Sequence, residues 1–132
     1  MRIYRLNKTA DAGIRLWLDD NRNPQDPVNQ QKYFAQGDEL LVKTPAQALT
    51  YLSQGKVSFI SFDCDLGMLN GEKISSKAVA NWIEEAAYNG RISRLDWNVH
   101  SENPVDKDYV IAAMVNAGKF WDRKDLESST VQ

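Results

Sequence analysis

Three short polar clusters carry residue types that can do chemistry together: Asp19-Asp20, Asp63-Cys64-Asp65, and His100-Ser101 with Asn103 close behind. Adjacent carboxylates repel each other unless a cation, an arginine or water compensates. Oxygen-rich donor sets of this kind suit hard cations. Asp19, Asp20, Asp63 and Asp65 are therefore candidate ligands for a divalent metal, Mg2+ or Mn2+. His100 is the only histidine in the chain. Its ordinary pKa lies near neutrality, which suits a general acid or base. Asp63 and Asp20 join it as candidate catalytic residues. Arg22, two residues after the acidic pair, can pair with carboxylates or hold a phosphate, and Ser101 and Asn103 are candidates for the same binding role. Each residue also has a plainer reading. Asp63 can cap a turn, Asp19-Asp20 can be a solvated acidic turn, Arg22 can be a structural partner, and a lone histidine is more often structural.

Position separates the two readings. Each cluster follows directly on a stretch that reads as a strand: IRLWL (Ile14 to Leu18), VSFISF (Val57 to Phe62) and RLDWNV (Arg94 to Val99). The central run is β-branched, aromatic or small, which fits a strand covered on both faces. In open α/β sheets, ligands collect where strands end at their carboxyl side. A fourth strand, ELLVK (Glu39 to Lys43), precedes a helix that Thr44 caps and Pro45 opens, with Gln47 completing a capping box and Gly55 ending it. VNQQKYFAQG holds a short helix at most. Leu66 to Asn70 reads as a loop, and Gly71 to Tyr88 as the longest helix, with Ile74, Ala78, Trp82, Ile83 and Ala86 on its buried face. Asp106 to Ala117 is a last helix closed by Gly118, Lys119 to Lys124 a final short strand, and Asp125 to Gln132 a frayed tail. Strands alternating with helices predict a single α/β domain with a mostly parallel sheet of four to five strands. The expected organisation is a leader over 1–13, in which MRIYRL can add an edge strand, a domain over 14–124, and a tail over 125–132.

Composition narrows the function classes. The chain of 132 residues has a formal net charge of −2, which gives no basic footprint for duplex DNA. A specific RNA end needs only a site and stays open. The one cysteine, Cys64, fits a reducing compartment. No apolar run approaches a membrane span, and the expected location is cytoplasmic, the host cytoplasm for a virus-encoded chain.

The layout of these clusters resembles a response-regulator receiver. There, an acidic pair ends the first strand, the acceptor aspartate ends the third and a Ser or Thr ends the fourth. Gly71 stands eight residues after Asp63, as the glycine opening the next helix does in receivers, and Lys124 is the candidate for the lysine ending the fifth strand. WLDDNRNP, FDCDLG and HSENP together resemble the cyclic-phosphate-processing receiver-like family, with its LDD-x-R-x-P opening, D-H-D-L-G centre and HS-x-NP fourth strand. The resemblance spans Ile14 to Gly118 and implies a receiver-like, Rossmannoid (flavodoxin-like) sandwich. Cys64 departs from it, standing where the family has histidine. The resemblance implies a metal-dependent phosphoesterase, a hydrolase acting on a phosphate ester such as a cyclic phosphate on RNA or a nucleotide. The competing reading is a signalling or binding module with Asp63 as phosphoacceptor and no hydrolysis. FDCDLG also looks like the D-x-D motif of haloacid-dehalogenase-type phosphatases. That fold places its acidic pair after the D-x-D, whereas here the pair comes first, and the chain is short for it.

Overall fold

A computed structural model describes residues 13–130. The expected leader strand MRIYRL lies outside the described residues. Strand β1 (Ile14–Leu18) is central, with β2 (Leu40–Val42) on one side and β3 (Val57–Phe62) on the other. Beyond β3 lies β6 (Asp96–Val99), giving a fully parallel sheet in the order β2-β1-β3-β6. The molecule is a receiver-like α/β domain with four parallel strands.

Side chains alternate along each strand, so the sheet has two distinct faces. Leu16, Leu18, Ile60 and Phe62 are fully buried on one of them. They meet Ala48 and Leu52 of α2 (Pro45–Ser53), Val79 and Ile83 of α3 (Lys77–Tyr88), and Val110 and Met114 of α4 (Pro104–Thr130). This is the apolar core. On the other face stand Arg15, Trp17, Phe59 and Ser61, with the Arg15 guanidinium 4.2 Å over the Phe59 ring. This second face is covered too, with Trp17 and Ser61 buried, but it carries polar groups, and α1 (Pro27–Tyr33) lies toward it through Tyr33.

Thr44 caps α2 by accepting from the Gln47 amide, while Gln47 reaches back to the Lys43 amide rather than to that of Thr44. Two further expectations are corrected. Leu66 to Asn70 is not a loop, and the following helix does not start at Gly71. Asp65–Leu69 and Glu72–Ser75 form an antiparallel hairpin, β4 and β5. Asn70 and Gly71 both have positive φ, 54° and 79°. Asn-Gly is the favoured pair for a tight hairpin turn of matching twist, so Gly71 serves that turn and α3 begins only at Lys77.

Nor do Lys119 to Lys124 form a strand. Helix α4 runs through Gly118 and past Asp125 to Thr130. Val110, Ala113, Met114, Ala117 and Trp121 continue one buried stripe at helical spacing. A glycine inside a helix costs about 1 kcal/mol. Burying Trp121, whose Nε1 donates to the Ile92 carbonyl at 3.1 Å, offsets that readily. Among the described residues no helix is long and apolar enough to cross a membrane.

Candidate functional site

Register brings the polar clusters together. Leu18, Phe62 and Val99 are partners in the ladder. The residues that follow them continue the row: the Asp63 amide donates to the Leu18 carbonyl and the His100 amide to the Phe62 carbonyl, both at 2.8 Å. The Asp19 amide donates to the Val42 carbonyl at 3.0 Å. Three strands therefore give out at one level, and Asp19, Asp63 and His100 stand side by side.

Asp19, Asp20 and Asp63 each offer an oxygen, and these oxygens lie within 4.8 Å of one another. Asp19 and Asp63 are buried, while Asp20 is exposed. Asp65 lines the same pocket outside this group of three. Its amide donates weakly to Asp63 Oδ1 at 3.4 Å, and its own Oδ1 accepts from the Gly67 amide at 3.2 Å. Gly67 is required here. Its φ is +86°, and a Cβ at this position would stand 2.8 Å from Asp20 Oδ2. The hairpin backbone thus presses against the carboxylate group without a side chain between them.

Asp19 is firmly held. Its Oδ1 accepts from the amides of Asn21 and Arg22 at 2.8 and 2.9 Å, and its Oδ2 meets His100 Nε2 at 2.9 Å. Burial pushes the Asp19 carboxyl up, but these hydrogen bonds outweigh it and hold the net pKa below the ordinary carboxylate value. Asp63 has only the weak hydrogen bond from the Asp65 amide. Burial first, and the Asp19 charge second, push it up to about 7. Arg22 compensates in part, with Nη1 3.7 Å from Asp19 Oδ2 and 3.8 Å from Asp63 Oδ2. These distances exceed a hydrogen bond, so the guanidinium supplies charge without donating to either carboxylate. Two buried carboxylates and an exposed one, incompletely neutralised, fit a hard divalent cation.

His100 stands behind this arrangement. It is buried, and it does not line the pocket. Its ring stacks on Trp17 at 4.0 Å between centroids, and its Nδ1 is 2.7 Å from Ser61 Oγ. Burial, above all, depresses its pKa, so the ring is neutral at pH 7. An ionised carboxylate only accepts, so Nε2–H donates to Asp19 and Nδ1 accepts from the Ser61 hydroxyl. His100 thus touches the carboxylate group through Asp19.

The pocket itself has a volume of about 410 Å3 and is lined by Asp20, Asn21, Arg22, Asp63, Asp65, Gly67, Ser101, Glu102 and Asn103. Ser101 Oγ accepts from the Asn103 amide at 3.1 Å, and Asn103 Oδ1 accepts from the Asp106 amide at 3.3 Å, which ties the HSENP turn to the start of α4. Cys64 is fully buried in the apolar core and absent from this lining, but its thiol interacts with the side chain of Ser101, which does line the pocket. Lys124 is also elsewhere. Its Nζ approaches Gly90, between α3 and β6, at the opposite end of the sheet. It does not take the place of a receiver lysine.

The family model described as the cyclic-phosphate processing receiver domain matches residues 14–116. The chain belongs to this family. No curated protein and no solved structure matches the chain. In this receiver-like domain, the residues expected from sequence gather at the carboxyl ends of the strands: Asp20, Arg22, Asp63, Asp65, Ser101 and Asn103 line the pocket, Asp19 is buried beside Asp20 and Asp63, and His100 stands behind Asp19. Sequence reasoning missed Trp17 and Ser61, which hold His100, and Gly67. Ser61 did leave a signal: it is a hydroxyl in a mostly apolar strand, two residues before Asp63 and so on the same side.

Proposed function

We propose that this domain processes a phosphate ester in a divalent-metal-dependent reaction, with a cyclic phosphate on an RNA end or nucleotide as the substrate class. The observation that carries this reading is the convergence of Asp19, Asp20 and Asp63 within 4.8 Å beside the Arg22 guanidinium, in an open polar pocket. The family description supports the cyclic phosphate. A cation such as Mg2+ or Mn2+ held by these carboxylates would polarise a phosphoryl oxygen. Arg22 then neutralises charge developing on the phosphoryl oxygens, and Ser101 and Asn103 orient the ester. Asp20 and Asp63, which face the pocket, are the candidates to take a proton from attacking water. His100 acts through Asp19: its Nε2–H, backed by Ser61, keeps that carboxylate ionised and fixed in one rotamer. Asp65 orders the backbone that closes the pocket's rim.

Asp63 occupies the place of a receiver's acceptor aspartate, at the end of the third strand of a receiver-like sheet. This favours a second reading, in which Asp63 accepts a phosphoryl group and hydrolysis is absent. The test is incubation with a 2′,3′-cyclic nucleotide and Mg2+ or Mn2+. Ring opening that needs the metal and disappears in Asp63→Asn supports the proposal. Absence of turnover, together with stable phosphorylation of Asp63 by a small phosphodonor, would replace it with the second reading.

A further inference from the structure

Glu102 sits between Ser101 and Asn103 on the pocket wall, outside the carboxylate group. Its side chain is 64% exposed, yet it is tied down. Its Oε2 accepts from the Tyr33 hydroxyl at 2.5 Å and from Lys32 Nζ at 3.2 Å, with Arg22 Nη2 3.8 Å away. Donors from α1 and from the loop before it therefore converge on a single oxygen. The Arg22 and Lys32 cations also lie over the Tyr33 ring, at 4.8 and 5.2 Å, which keeps the group assembled. Exposed ion pairs contribute little to stability and cost side-chain freedom. Fold stability is thus a weak reason for this convergence. Its chemistry is more telling: a guanidinium, an ammonium and a phenol O–H are the donors that bind phosphate oxygens. A phosphate monoester brings more charge and more acceptor oxygens than a carboxylate, so it competes well for the same donors.

We propose that Arg22, Lys32 and the Tyr33 hydroxyl form a second anion subsite for a phosphate monoester group, which Glu102 occupies in its own chain until a ligand displaces it. The inference rests on the phosphate reading above and deepens it. The substrate class becomes a cyclic phosphate carrying a further terminal phosphate, with Arg22 shared between the two.

The experiment is titration of metal-free protein with inorganic phosphate and with a nucleoside 5′-monophosphate, followed by calorimetry or NMR. Glu102→Gln should bind both probes about tenfold tighter than wild type. Adding Tyr33→Phe leaves the charge untouched and should remove at least threefold of that gain. A larger gain for the nucleotide assigns the subsite to a substrate phosphate, and an equal gain assigns it to phosphate alone; both support the subsite. No gain in Glu102→Gln, or a gain that survives Tyr33→Phe in full, would overturn it. Mn2+ binding to the same proteins separates the two claims. Retained Mn2+ affinity with no phosphate gain sinks the subsite and leaves the metal site standing. A phosphate gain without Mn2+ binding does the reverse.

Discussion

Asp63→Asn should make the metal-free protein more stable above neutral pH while destroying its metal site. The folded-state pKa of Asp63 is raised from 3.8 to about 7, by burial first and by the Asp19 charge second. A carboxyl shifted in this direction contributes nothing unfavourable below pH 3.8, where it is protonated in both states. As pH rises from there toward 7, the unfolded chain releases the proton first, and folding stability falls. At about 1.4 kcal/mol per pH unit, the full loss is about 4 kcal/mol above pH 7. Asparagine cannot ionise, so the variant escapes that loss, less whatever the Arg22 contact at 3.8 Å contributes to the wild type. The expected gain at pH 8 is about 2 to 4 kcal/mol, shrinking to a few tenths near pH 4. Urea unfolding in EDTA at pH 4, 6 and 8 measures it, and subtracting variant from wild type cancels the titrating groups that do not interact with Asp63. Saturating Mg2+ should then stabilise wild type and leave the variant unchanged. A variant as stable as wild type at pH 8, or less so, would refute the claim that Asp63 is an under-compensated buried carboxylate.

Other consequences follow from the same geometry. His100→Ala removes a buried ring stacked on Trp17 and orphans Asp19 Oδ2 and Ser61 Oγ; thermal or urea unfolding should show a loss of about 3 kcal/mol, and phosphoesterase turnover should be lost in the folded variant. Gly67→Ala must place a Cβ 2.8 Å from Asp20 Oδ2 at a φ of +86°; it should weaken Mn2+ binding at least tenfold while global stability falls by only about 1 to 3 kcal/mol. Cys64→Ala removes a buried sulfur and its contact with Ser101 but no residue of the pocket lining; it should cost about 1 kcal/mol in urea and leave turnover within twofold, and a large loss of turnover would show the thiol to be part of the chemistry.

The strand ends were legible because the signal is local. An apolar run followed at once by carboxylates marks both the end of a strand and a place where a ligand collects. That these ends share one level depends on the register of Leu18, Phe62 and Val99, which no single segment displays. The hairpin after Asp63 carried its own sign in Asn70-Gly71, but Ile74 and the residues after it also satisfy a helical period, and the turn chemistry won. Gly118 reads as a helix end in isolation. Burial of Trp121 against the Ile92 carbonyl carries the helix past it, and that contact is tertiary. Trp17 is buried on the second face of the sheet, where it supports an imidazole on the functional side, and its own segment does not display that contact. The position of His100 behind Asp19 likewise depends on Ser61 and Trp17, both distant from it in sequence.

Mn2+ binding followed by electron paramagnetic resonance tests the central claim most directly, because it reads the carboxylate group without depending on any substrate. One Mn2+ should bind per chain, more tightly at pH 8 than at pH 6 as Asp63 gives up its proton, and binding should be lost in both Asp20→Asn and Asp63→Asn. Wild-type protein that leaves Mn2+ free at millimolar concentration and pH 8, or variants that bind it as wild type does, would contradict it.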